Sequence, residues 1–450
     1  MAEAKDIDDS LEFLRHFEKY TQPTNVASVV REKLDTKKKH LDLQGNRFTE
    51  EDFKTLAGIE SLARLRSLDL GETGMTSAGL KYLCASKVYS GLESLSLVNN
   101  NLDDDGIFFL SKSPNLGNLF KLDLSSNEIG AVGAKVLSIS AAIEKLETLD
   151  LSYNRIEPLG LKALGESALG RRLKSLNLRD TCVMDEGLQF LASKASMDAL
   201  ETLDLSDNAL TANGIEPLGR SNAFPNLKRL ILSNNHLGDD GIYALAESSL
   251  FAGVEELYLV NNGLSADSAI SIAQSKTLTK LRVLDLNNND IRAEGMKALA
   301  QSSNMQGMLK LDIGENKLGP EGTKALAACR YFCELKFLRL NNNNVTDTGA
   351  KAIAQSKTLA NLQSLHLENE NWIHAEGTRA IAESETLSNL RELVLSLNTI
   401  GDEGARHLAN SKTLSGLEIL NVAGNKLSPG GEDALSHSST LVNLKTLELV

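Results

Sequence analysis

Histidines, cysteines and paired carboxylates are the side chains that could do chemistry in this chain, so their spacing comes first. The seven histidines are His16, His40, His236, His366, His374, His407 and His437, and no two stand in the HExxH arrangement that places two imidazoles on one helix face. Cys329 and Cys333 lie four apart, as on one helix face, but no second cysteine pair or neighbouring histidine completes a tetrahedral zinc site. Neither GxxxxGK[ST] nor GxSxG occurs, which removes a phosphate-cradling loop and a hydrolase elbow. Carboxylates are abundant but periodic: Asp42, Asp69, Asp123, Asp150, Asp204, Asp285 and Asp312 recur at one position of a repeated pattern. A periodic acid solvates or caps; as a ridge it would also steer a basic partner. No catalytic residue, metal ligand or cofactor is expected. Recognition is the chemistry that remains. Where the Asp series is interrupted stand Ile231, Tyr258, Arg339, His366 and Val394, with Val260, Val283, Phe337, Leu397 and Ile419 nearby and the only tryptophan, Trp372, further on. Exposed apolar and aromatic residues rimmed by Arg and His have the composition of an interface core with a polar edge. The expected partner-binding set is Ile231, Tyr258, Val260, Val283, Phe337, Arg339, His366, Trp372, Val394 and Leu397.

Composition narrows the partner. Lys and Arg total 47 against 60 Asp and Glu in 450 residues, a net charge of −13, which disfavours nucleic acid because phosphate neutralisation needs clustered basic residues. Apolar residues make up 42% and aromatics 4%, enough for a large core built from Leu, Ile, Val and Ala. No apolar run reaches the roughly 18 residues that suggest a membrane span. The N-terminal MAEAKDIDDSLEF lacks the basic-then-apolar layout of a secretory signal. Four cysteines are too few for a disulfide scaffold, and reduced thiols in a cytoplasmic protein are expected.

The elements that position these residues follow from one period. LESLSLVNN at Leu92 recurs as LETLDLSYN at Leu146, LETLDLSDN at Leu200, LKRLILSNN at Leu227, LRVLDLNNN at Leu281 and LRELVLSLN at Leu390. The opening apolar residues advance by 27 from Leu65 to Leu362, by 28 to Leu390, then by 27 to Leu417 and Leu444. Numbering from that residue, positions 4 and 6 alternate inward as in a short strand. Position 9 is Asn in thirteen copies, from Asn46 to Asn425, with Thr73 and Thr181 replacing it in two; a buried amide there can satisfy backbone groups of neighbouring coils. Position 15 is usually Gly and opens a segment of helical spacing. Pro158, Pro320 and Pro429 fall at position 13, where the first helical turn tolerates proline, and Asp239, Asp240, Asp402 and Glu403 suit the helix dipole.

These motifs resemble the leucine-rich repeat family in its ribonuclease inhibitor-like branch, over more than nine tenths of the chain from about residue 38. The implied fold is α/β: a curved solenoid, or horseshoe, of about 15–16 copies, with a concave parallel sheet and convex helices. Strands stack about 4.8 Å apart while helices need roughly 8–10 Å, so the stack bends with the strands inside. Residues 1–37, with helical spacing over Ser10–Tyr20 and Asn25–Leu34 split by Pro23, read as an N-terminal helical cap, and 38–450 as the repeat domain. The sequence stops inside a strand at Leu444–Val450 with no polar cap, as if cut short, and an open edge can pair; a monomer is expected unless it does. Pro217 falls inside a helix, which is expected to be short or distorted. The coil at Leu362 carries one extra residue, displacing its Asn to Asn371 and placing Trp372 at an exposed site.

The resemblance implies a non-enzymatic scaffold that binds a protein partner on its concave face, set in the cytoplasm as a bacterial effector delivered into a eukaryotic host. The alternative it implies is a regulator of a small GTPase, similar to the Ran GTPase-activating protein.

Overall fold

The computed structural model describes residues 26–449. Two compact units form: one of residues up to Val183 together with Ala195–Leu200, the other of Met184–Lys194 together with the residues from Glu201 on. In each, every coil is a three-residue strand at positions 3–5, a turn, and a helix at positions 12–21 or nearby. Helices of successive coils pack on one another, as do successive strands. Both units are thus curved α/β solenoids, bent by the unequal spacing of strands and helices. No helix among the described residues is long and apolar enough to cross a membrane.

In the first unit, strands from His40–Asp42 to Ser175–Asn177 run parallel with a strict one-coil register, Leu41 opposite Leu68, Leu68 opposite Leu95 and so on. The short strand Leu34–Asp35 pairs antiparallel with His40–Asp42. Before it, the helix Val26–Lys33 buries Val26 and Val30; the expected helix over Ser10–Tyr20 lies outside the described residues. The second unit carries ten parallel strands, from Thr202–Asp204 to Thr446–Glu448.

One side chain joins each coil to the next. Asn127 donates from Nδ2 to the carbonyls of Leu124 in its own coil and Leu97 in the preceding one, both at 3.0 Å, while its Oδ1 accepts from Leu102 N–H at 3.0 Å. Asn235 repeats the pattern, and Asn316 does so with Gly314 O as its own-coil acceptor. These backbone groups are inside the turn, where leaving a donor or acceptor without a partner is costly. Thr73 Oγ1 donates to Leu70 O at 2.7 Å and lies 3.2 Å from Asn100 Oδ1 of the next coil; its backbone carbonyl takes over the acceptor role toward the preceding coil by receiving Phe48 N–H at 3.0 Å.

A second ladder runs along the other end of the helices. Ser113 Oγ donates to Cys84 O, Ser275 to Ala246 O, Ser356 to Ala327 O and Ser411 to Ala382 O, each at 2.6–2.7 Å. Position 22 therefore ties the last helical turn of the preceding coil, whose carbonyls have no partner within the helix. The acids at position 13 do more than complement their own helix. Asp402 accepts the amide and hydroxyl of Ser428, the N-cap of the next helix, at 2.8 and 2.6 Å, and those bonds hold its carboxyl below the usual range.

Position 8 closes the strand with a left-handed residue. Glu72, Asn99, Ser126, Asp207, Asn288 and Asn342 all have φ between 49° and 57° there. Asn and Asp tolerate this conformation best among residues with a side chain, which accounts for much of the position's polarity.

Two expectations need correction. Pro217 does not shorten its helix, which spans Ala212–Gly219, eight residues like Asp104–Ser111 and Ala131–Ser138. The carbonyl of Asn213, which a residue with an N–H at 217 would bond, receives Gln189 Nε2 at 3.2 Å instead. Cys329 and Cys333 share no helix: Cys329 is buried beyond the end of Gly319–Ala327, and Cys333 is exposed in the short turn Phe332–Glu334.

Asn316→Ala would leave the Ile291 amide without its partner and the Leu286 carbonyl with Asn289 alone. We expect the unfolding free energy in urea to fall by about 1–3 kcal/mol; an unchanged midpoint would count against the ladder.

Candidate functional site

The expected site residues lie in the second unit, and the strand register brings most of them together. At position 5, Asp204, Ile231, Tyr258, Asp285, Asp312, Arg339, His366, Val394 and Asn421 stand side by side. At position 3 the neighbours Val283, Lys310 and Phe337 form a parallel row. Val260 continues the Tyr258 strand at position 7. All these side chains are partly exposed except Asp312, which is buried.

Asp at position 5 has a local task. Its Oδ1 accepts the position-7 amide two residues on: Gly71 on Asp69 at 2.8 Å, Ser125 on Asp123 at 3.0 Å, Ser206 on Asp204 at 2.9 Å and Asn287 on Asp285 at 3.1 Å. Asn177 and Asn421 supply the same oxygen to Arg179 and Ala423. Ile231, Tyr258, Arg339 and Val394 have no such acceptor to offer, so the chain gives up a repeated backbone bond at these positions.

What replaces it is a set of mutually held polar and aromatic groups. Arg229 places its guanidinium 4.9 Å from the Tyr258 ring centre and pairs with Glu256 at 3.1 Å, while Tyr258 donates its hydroxyl to Glu256 at 3.1 Å. Burial, with Glu256 beside it, pushes the Tyr258 phenol up to about 12 against the pull of Arg229. Further along, Phe337 stacks at a tilt on His366, 5.1 Å between centroids, with Lys310 Nζ 4.7 Å from the Phe337 ring centre. His366 Nε2 lies 3.0 Å from Ser364 Oγ, which donates to Glu392 at 2.6 Å.

Between these groups sits a partly buried charge cluster. Asp285 and Asp312 are direct neighbours in register, and burial, then the Asp312 charge, raises Asp285 to about 6; burial raises Asp312 as well. Arg339 stands next in the row and donates from Nε and Nη2 to a single oxygen of Glu368, Oε1, at 3.1 and 2.8 Å. The other oxygen, Oε2, is buried without a hydrogen-bond partner, with His366 Nδ1 3.9 Å away. Gly314 makes this packing possible: a Cβ there would stand 1.9 Å from Asn341 Oδ1 and 2.5 Å from Asn287 Nδ2. With no side chain between them, those two amides meet at 3.4 Å from coils two repeats apart.

Trp372 and Leu397 do not belong to the strand face. Both lie in the turn that follows it, at φ of 54°, and are about half exposed at 52% and 55%. The extra residue of this coil leaves the ladder intact, since Asn371 still donates to Leu340 and Leu367 and accepts from Asn343 and Val345. Sequence reasoning passed over one surface altogether. In the first unit Phe108, Val132, Ile139 and Leu159 are exposed on the helix side, with Phe108 and Ile139 lining an open hollow of about 490 Å³. The signal was present, because positions 14 and 21 are mostly polar elsewhere and hold Val132, Leu159 and Ile139 here. Among the described residues, no cluster of three or more His, Cys, Asp or Glu could hold a metal ion.

Coils bridged by asparagine, with an exposed strand face, define a solenoid repeat protein. The sequence model described as Leucine Rich repeat matches at residues 92–111, 118–138, 143–165, 172–192, 200–219, 225–246, 277–300, 308–327, 333–354 and 386–409. The chain carries leucine-rich repeats. Among solved structures it is similar to a leucine-rich repeat protein from Leptospira interrogans, at 22% identity and a TM-score of 0.50, with 95% of this chain and 99% of that chain covered. It is also similar to an internalin (inlF) from Listeria monocytogenes, at 19% identity and 0.42, covering 96% and 98%. A third is TLR13 in complex with ssRNA13, at 20% identity and 0.47, covering 89% of this chain and 55% of that one, so the chain spans about half the TLR13 length. At these identities the likeness is one of fold. No curated protein matches the sequence.

The raised Asp285 carboxyl makes a pH prediction. The folded chain holds a proton there between its ordinary value of 3.8 and about 6 that the unfolded chain gives up, so this group favours folding more as pH falls through that window. Asp285→Asn keeps an oxygen for the Asn287 amide and removes the half-buried charge. Its urea midpoint should exceed the parent's at pH 7 and approach it near pH 4; a constant difference across that range would contradict the assignment.

Proposed function

We propose that this leucine-rich repeat protein is a non-enzymatic interaction scaffold that binds a protein partner on the concave strand face of its second unit, with Ile231, Tyr258, Val260, Val283, Phe337, Arg339, His366 and Val394 in the contact and Trp372 and Leu397 at its edge. The observation that carries the reading is the break in the position-5 rule. Four of these residues forgo a backbone bond that the repeat makes elsewhere, and positions that break a local rule without structural gain are where function is to be sought. The aromatic rings are pre-positioned by Arg229, Lys310 and His366, which lowers the entropy lost on binding. Aromatic and Arg anchors of this kind dominate many protein interfaces.

The setting we propose is the cytoplasm, with the chain a monomer acting as a bacterial effector in a eukaryotic host. The 27-residue period of the ribonuclease inhibitor-like branch, only four cysteines and the lack of a nucleotide-binding motif support that reading.

An affinity pull-down from eukaryotic lysate tests the site, comparing the parent with Tyr258→Ala/Phe337→Ala. We expect a captured protein to be lost with the variant while its unfolding midpoint stays close to the parent's. Identical captured sets would place the interface elsewhere.

A further inference from the structure

At the turn edge of the second unit, an open pocket of about 570 Å³ is bordered by Glu315, Glu370, Trp372, Leu397 and Thr399, with Asn side chains between them. We propose that this pocket is a clamp for an arginine side chain presented by an extended segment of the protein partner. The inference rests on the reading that the partner lies along the adjoining strand face, and adds the chemistry by which the partner is held.

The pocket exists because of the one-residue insertion. Asn371 keeps its place in the ladder, so the surplus length is taken up at Glu370, a left-handed residue added between Asn369 and Trp372, whose own left-handed conformations match Asn342 and Asn344 of the preceding coil. That insertion puts the indole beside Leu397, which is itself seated over Gly424: a Cβ on Gly424 would come within 2.6 Å of Leu397 Cδ2. The apolar walls are therefore placed by the backbone.

The charges at this border are of one sign. Glu315 and Glu370 are its only ionisable residues, with no Lys, Arg or His. Among the described residues neither has an ion pair, and Glu315 receives just one amide, Asn341 Nδ2 at 3.4 Å. An apolar guest would leave both carboxylates unused, and an anion would be repelled. A guanidinium on a three-methylene stem answers each feature: the stem lies against Leu397, the planar head stacks on the indole, and its N–H groups reach the carboxylates.

Trp372 is the only tryptophan, so its emission reports on this pocket alone. The probe is the blocked tripeptide acetyl-Gly-Arg-Gly-amide, set against its citrulline counterpart, which has the same shape without the charge. We expect a saturable change in Trp372 emission with the arginine peptide and none at equal concentration with citrulline. Glu315→Gln/Glu370→Gln should weaken the response by about tenfold or more, the loss expected when charge-assisted hydrogen bonds go. Tyr258→Ala/Phe337→Ala should leave it unchanged. A response that citrulline matches, one that survives the double Gln change, or no saturable response overturns the clamp. Failure of the tripeptide while the strand-face variant still loses its captured protein would defeat the clamp alone. Tripeptide binding with unchanged capture would keep the clamp and defeat the strand-face interface.

Discussion

Everything in this molecule hangs on how a backbone that turns every 27 residues satisfies the polar groups inside its turns. The strand of each coil is three residues long, too short to settle its neighbours' hydrogen bonds beyond the sheet itself. The asparagine amide at position 9 solves this with one side chain, donating to carbonyls of two coils and accepting an amide from the preceding one. Because each amide reaches back one coil, every repeat is incomplete without the next, which is the physical content of nearest-neighbour stability in solenoids. The serine ladder does the same for the helix ends, and the position-13 acids for the helix starts.

That requirement also explains what the concave face is free to do. Inward positions 4 and 6 are committed to the core and position 9 to the ladder. Position 8 must be left-handed and position 5 is drawn toward Asp by the amide two residues on. Variation that survives these demands is concentrated on a few outward side chains. In the second unit those side chains include rings held by cations, an Arg–Glu pair with one carboxylate oxygen to spare, and an Asp pair kept close enough that burial lifts one carboxyl to about 6. Two neighbouring acids in that state, beside Arg339, make a surface whose charge is set by its own packing.

Much of this was legible in the sequence, and for a clear reason. The period, the strand positions and the asparagine are each repeated a dozen times or more, so any one copy is corroborated by the rest. The face residues could be grouped because a strict register turns equal position numbers into spatial neighbours. What the sequence hid was single or context-dependent. Pro217 was misread because its consequence depends on Gln189, a side chain from the preceding helix. Gly314 looks like an ordinary substitution until Asn287 and Asn341 are seen to meet across it. The Asp series suggested solvation or steering, whereas its first duty is to the backbone at position 7. Serine at position 22 was as periodic as the asparagine and could have been found, but small polar residues after a helix attract no notice. Trp372 and Leu397 were grouped with the face, although the left-handed turn sets them at its edge.

The central claim is that position-9 amides couple each coil to its predecessor, and amide hydrogen exchange on Asn235→Ala tests it most directly. In the parent, Asn235 Oδ1 accepts the amides of Asn208 and Leu210 at 3.0 Å. The account predicts that protection falls first and furthest at those two amides of the preceding coil, then fades over neighbouring repeats in both directions. Loss confined to the mutated coil itself, or spread evenly over the chain, would contradict it.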